Sequence, residues 1–157
     1  MMSGIKAAEC ADNMQYLAID ESVLRGMQQM AIRYYRHGMF ADSESLLAFV
    51  IRHRSSCPEV YFDMGKAKHA QARYGGALLS YRRAIALGLT DLKVFLYIGQ
   101  CCIFLNLYTQ ADSALRHFLS LGRTDPSFQS NSMLVRAQSL LDDLVTPHLQ
   151  KFPESMG

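Results

Sequence analysis

Pro58-Glu59-Val60-Tyr61-Phe62-Asp63-Met64-Gly65-Lys66-Ala67, continued through Tyr74, Ala77, Tyr81 and Ala84 to Leu89, decides the fold, because its pattern recurs 34 positions earlier and 34 positions later. The slots held here by Tyr61, Met64, Gly65, Tyr74, Ala77, Tyr81 and Ala84 hold Met27, Met30, Ala31, Phe40, Ser43, Leu47 and Val50 in the earlier copy. In the later copy they hold Phe95, Ile98, Gly99, Tyr108, Ala111, Leu115 and Phe118. Each slot keeps its character: large apolar, large apolar, tiny, aromatic, small, large, and a looser last place. The three copies align without a gap and run from Leu24 to about Pro126.

A gapless 34-residue period with this spacing of large, tiny and aromatic residues is the mark of the tetratricopeptide repeat. Each copy is a pair of antiparallel helices, A and B, that cannot bury its apolar stripes alone and must stack on its neighbours. The slot sizes follow. Ala31, Gly65 and Gly99 sit where helix A meets helix B, and a tiny side chain lets the backbones approach. Ser43, Ala77 and Ala111 are the reciprocal small slots on helix B, and Phe40, Tyr74 and Tyr108 plug the turn between the helices. The expected architecture is an all-α, right-handed tetratricopeptide solenoid of three helix pairs plus a C-terminal capping helix.

Local signals place the helices. Asp20 is a plausible N-cap for a first helix A over 21–37, which Gly38 ends. Its helix B spans about 42–54. Pro58 suits the first turn of the next helix A, over 59–73. Gly75-Gly76 opens the second helix B, which stops at Gly88. The third pair covers about 92–105 and a helix capped by Thr109 that ends before Gly122. A seventh helix, 128–145, carries Met133, Leu134, Ala137, Leu140, Leu141 and Leu144 at helical period. Its other face bears Arg136, Gln138, Asp142 and Asp143, the pattern of a terminal cap, and Pro147 stops it. The chain therefore divides into an N-terminal arm (1–19), the repeats with their cap (20–146) and a tail (147–157). The arm reads either as a frayed end or as a segment that packs on the groove or dimerises, since Met14, Tyr16, Leu17 and Ile19 lie outside any repeat.

Composition narrows the function classes. Sixteen Lys and Arg against 14 Asp and Glu give a formal charge of +2, no footprint for nucleic acid or an anionic membrane. Cys10, Cys57, Cys101 and Cys102 lack framework spacing and read as reduced thiols of a cytoplasmic protein. No apolar run approaches a membrane span, and Lys6, Glu9 and Asp12 interrupt any signal-peptide core. Of the five histidines, His53 lies one turn from Cys57, too few ligands for zinc. Gly65-Lys66-Ala67 lacks the upstream glycine and the Ser or Thr of a phosphate loop. No nucleophile elbow exists for Ser80 or Ser113. The sequence reads as a non-enzyme without metal or cofactor.

Function then falls to the concave face, built from helix A residues that packing does not claim. Its candidate lining is Ile32, Tyr35, Phe62, His69, Leu96, Tyr97, Gln100, Ile103 and Phe104, among scattered charges such as Arg25, Arg36, Asp63, Lys66 and Lys93. Ile32, Tyr35, Phe62, Leu96, Tyr97, Ile103 and Phe104 are seven large apolar residues on a face nominally open to water, and they call for a partner. Coverage by the arm or by the capping helix is the alternative.

Several stretches resemble the class II chaperones of bacterial type III secretion. Ile32-Arg33-Tyr34-Tyr35-Arg36-His37-Gly38-Met39-Phe40-Ala41-Asp42-Ser43 is similar to that family's first repeat. Gly65 and Tyr74-Gly75-Gly76-Ala77 with Tyr81 are similar to the second, and Ile98-Gly99-Gln100-Cys101-Cys102 with Leu107-Tyr108 and Ala111 to the third. Lys68 departs from the large apolar residue usual there. The resemblance implies a chaperone that holds an extended apolar segment of a translocator in its groove, with Tyr35, Phe62, His69, Tyr97 and Phe104 lining pockets. It implies stoichiometric masking without turnover. A needle-subunit co-chaperone of the same system and a general scaffold are the competing readings.

Overall fold

The computed structural model describes residues 18–126 and 131–149. Within them are seven helices: α1 (Glu21–Arg36), α2 (Phe40–His53), α3 (Pro58–Ala70), α4 (Tyr74–Ala86), α5 (Lys93–Phe104), α6 (Tyr108–Thr124) and α7 (Asn131–Leu149). Each packs on the next, the pairs α1/α2, α3/α4 and α5/α6 being the three repeats. The fold is the all-α tetratricopeptide solenoid. The expected arm up to Leu17 and the tail from Gln150 lie outside the described residues.

The ends of the A helices share one device. Gly38, Ala72 and Asn106, spaced by 34, all have positive φ, at 77°, 56° and 59°. In each case the residue after them donates its amide to a carbonyl five positions back: Met39 to Tyr34 (2.9 Å), Arg73 to Lys68 (3.0 Å) and Leu107 to Cys102 (2.8 Å). This is the Schellman closure, which satisfies the last carbonyls of a helix and turns the chain sharply. Helix B therefore starts at once, with Phe40, Tyr74 and Tyr108 as its first residues. The expected start near 42 is two residues late and the expected cap at Thr109 is not used, because the turn already fixes the entry. Asp20 does cap α1, its Oδ1 accepting from the Ser22 amide at 2.7 Å. Two other expected stops fail. Gly122 is buried inside α6, which runs on to Thr124. Pro147 lies within α7, where so near the end it forfeits a single backbone bond.

The tiny slots do what their size demands. A Cβ on Gly65 would land on the Tyr81 ring, and one on Gly99 would lie 2.6 Å from Leu115 Cδ2. Tyr81 and Leu115 are themselves fully buried, so neither can retreat. Ala31 meets the same slot in the first repeat, in one cluster with Leu47. Apolar clusters fill the successive gaps: Ala31, Leu47, Val50, Val60 and Met64, then Phe62, Ala77, Tyr81, Val94 and Ile98, then Leu96, Leu115, Phe118, Ala137 and Leu141. Each large side chain so buried contributes roughly 1.5–3 kcal/mol. The stacking, more than any single pair, stabilises the chain.

Candidate binding groove

Side chains at helical spacing on α1, α3 and α5 converge on one face. On α3 the 3- and 4-residue steps from Phe62 to Lys66 to His69 put all three on one side. Lys66 is the centre of the charge arrangement. Its Nζ lies 2.7 Å from Asp63 Oδ1, 5.7 Å from the centroid of the Tyr35 ring and 5.0 Å from that of Phe62. Gln28 of α1 donates to Asp63 Oδ2 at 3.1 Å, tying the first repeat to the second. Ile32, Tyr35, Ser43, Asp63 and Lys66 enclose a recess of about 10 Å³ between the repeats. Among the described residues Ser43 Oγ, on that recess, is buried without a hydrogen-bond partner.

Next to this lies an aromatic cluster. The His69 ring meets Tyr74, Tyr81 and Tyr97 at centroid distances of 5.4, 6.3 and 5.8 Å. Tyr81 and Tyr97 stack at 5.7 Å, and Phe62 meets both. His69 Nδ1 is 3.5 Å from the Tyr81 hydroxyl and from Cys101 Sγ. Both can donate to it if the ring carries its proton on Nε2. Burial, and then the nearby Arg136 guanidinium, push the His69 pKa down, so the neutral ring is favoured. Burial raises the Tyr97 and Tyr81 phenols. It pushes the Cys101 thiol up to about 12, which makes it an inert packing group.

The nine residues expected to line the groove are not equally placed. Ile32, Tyr35, His69 and Tyr97 are half-buried, Ile32 and Tyr35 sharing the recess beside Lys66 and His69 meeting Tyr97. Phe62 and Leu96, expected to face water, are buried at 8% and 1% exposure. The reason is common to both. They are 34 apart, and each fills the joint with the following A-type helix, Phe62 against Tyr97 of α5 and Leu96 against Ala137 and Leu141 of α7. Gln100 is also buried and its amide faces the Arg136 guanidinium; with the amide oxygen turned to that side, it accepts from Nε and Nη2 at 3.0 and 3.3 Å. Ile103 packs beneath the same capping helix. Phe104 is exposed at the rim and stacks on Tyr74, 4.2 Å apart and 6° from parallel. Arg136, expected to belong to a purely solvent-facing side, reaches back to the groove. Its place one residue before the buried Ala137, at the edge of the apolar stripe, was the available signal.

No family model matches the chain, and no curated protein matches its sequence. Solved structures do. The chain is similar to the type III secretion translocator chaperone SycD of Yersinia enterocolitica, with a TM-score of 0.76 and 17% identity over 83% of this chain and 89% of that one. It is similar to PcrH in complex with the chaperone-binding region of PopD, with a TM-score of 0.75 and 15% identity over 83% and 96%. PcrH is a protein of Pseudomonas aeruginosa. The first tetratricopeptide domain of Spaghetti (RPAP3), bound to an HSP90 peptide, also matches, with a TM-score of 0.70 and 13% identity over 85% and 99%. At these identities the likeness is one of fold: the chain has the tetratricopeptide fold that the translocator chaperones also have. Among the described residues, no helix is long and apolar enough to cross a membrane.

Proposed function

We propose that this chain is a cytoplasmic chaperone that binds an extended apolar segment of a type III secretion translocator along the face shared by α1, α3 and α5, keeping it soluble and competent for export. The observation that carries the reading is a half-buried aromatic face, His69 against Tyr97 and Tyr35 under the Lys66 ammonium, none of the three being one of the repeated packing slots. Rings lose little rotamer entropy for the area they bury, so they make good anchors for such a segment. The likeness of fold to SycD and to PcrH with its PopD segment supports it.

The Spaghetti neighbour, bound to the acidic peptide SRMEEVD, favours a second reading, a scaffold that grips carboxylates. The groove's own charges argue against it. Lys66 is already neutralised by Asp63 at 2.7 Å, and a carboxylate would have to displace that ion pair.

Calorimetry with a peptide from the chaperone-binding region of a translocator tests the proposal. Tyr35→Ala or Tyr97→Ala should each weaken binding by about 2 kcal/mol if both are anchors. Affinity should change little between low and moderate salt. Equal affinities for wild type and both variants would place the site elsewhere, and a steep salt dependence would favour the carboxylate-gripping scaffold.

A further inference from the structure

A second opening lies between α4 and α6, with a volume of about 450 Å³, in the range of ligand-sized clefts. Its floor is Phe95, Ile98 and Ala114. At about 100° per residue, Phe95 and Ile98 point to nearly the opposite side of α5 from Tyr97 and Gln100. This cleft therefore shares no wall with the groove.

The walls are polar in a way the repeat does not ask for. Arg82, Gln110, Ser113 and His117 surround the floor. Thirty-four residues earlier, the same slots hold Ala48, Gly76, Leu79 and Arg83. A pattern needed for stacking would recur; this one appears once. The Arg82 guanidinium donates to the neutral amide oxygen of Gln110, not to a carboxylate. The His117 ring stands edge-on to Phe95, 4.4 Å between centroids and 84° apart, and shapes one end of the floor. The lining contains a full positive charge and no Asp or Glu.

We infer that this cleft is a second docking surface, which takes an acidic protein segment: an apolar side chain on Phe95 and Ile98, with a flanking carboxylate on Arg82. A carboxylate would replace a neutral acceptor with a charged one, the stronger partner for a guanidinium. The charge complementarity selects the occupant, and the apolar floor separates it from a bare anion. A segment held here leaves the α1/α3/α5 face free, so the chain could engage two partners at once.

The test uses the full chain and a fluorescein-labelled twelve-residue peptide with one leucine between two aspartates. Twin peptides carry asparagines for the aspartates or serine for the leucine. Both twins should bind roughly tenfold more weakly or worse. Arg82→Glu should weaken the acidic peptide by a similar factor. Ser113→Trp, which fills the opening from an exposed position, should abolish binding, while Tyr97→Ala should leave it unchanged. Circular dichroism establishes that the Arg82 and Ser113 variants are folded. Equal binding of the asparagine twin, or indifference to Arg82→Glu, would overturn the charge reading. Equal binding of the serine twin would reduce the site to nonspecific attraction. Loss in Tyr97→Ala would assign the peptide to the groove, and the inference would be wrong.

Discussion

Ala72 is the residue under most local strain in the repeats. It holds φ at +56°, where its counterparts are Gly38 and Asn106, residues that tolerate the left-handed region. Ala72→Gly should therefore stabilise the chain by about 1 kcal/mol, and Gly38→Ala should destabilise it by a similar amount. Urea melts read both, and a loss of stability in Ala72→Gly would mean that the methyl group packs usefully. His69 sets a second expectation at this scale. Its folded pKa lies below the ordinary value near 6.5, so the unfolded chain binds the proton more readily. Stability attached to the neutral ring is complete above about pH 6.5 and is lost as pH falls below it. Replacing His69 by Phe should flatten the decline of the thermal midpoint between pH 7 and pH 5. An unchanged slope would show that other groups govern it.

At the scale of elements, the tiny slots are the strictest requirement. Gly65→Leu or Gly99→Leu should cost roughly 1–3 kcal/mol or more by overpacking, since Tyr81 and Leu115 stand directly opposite and are buried. Unchanged melting midpoints for both would overturn the pairing of slots. These pairs were legible in the sequence, because a size constraint leaves a residue type behind at every repeat. So were the helix pairs, the turn aromatics and the apolar stripe of α7. The helix B starts were not, because a backbone closure sets them and Ala72 hides its αL conformation behind an ordinary side chain. In the groove, Tyr35, His69 and Tyr97 are half-buried, and the first two also meet helix B rings of their own repeats, Tyr35 on Phe40 and His69 on Tyr74 and Tyr81, though none of the three is itself one of the repeated slots. Phe62, Leu96 and Gln100 were misplaced for a reason outside their own helices: the next helix over covers them, and sequence spacing within one repeat carries no record of that neighbour. Arg136 was hidden in the same way, since its partner Gln100 lies 36 positions back.

For the whole molecule, stability is a chain of nearest-neighbour joints, and α7 is the last of them. It lies against α5 and α6 with Ala137 and Leu141 over Leu96, Leu115 and Phe118. Removing residues 131–157 should therefore expose those side chains, lower the melting midpoint and produce concentration-dependent association, visible in light scattering. A truncated chain that stays monomeric and as stable as the intact one would contradict this. The joint between α3 and α5 is made by the same register of side chains as the joint between α5 and α7, Phe62 in one and Leu96 in the other. A surface built to receive a helix of the next repeat does not distinguish its own chain from a neighbouring copy. Left bare, it would accept the leading edge of a second molecule, whose own bare end would accept a third, in the head-to-tail manner that grows without closing. By occupying that seat with a helix whose exposed side carries Asp142 and Asp143, α7 puts charge where the next repeat would otherwise stack: it is the terminator of a polymer that the repeat geometry would otherwise permit.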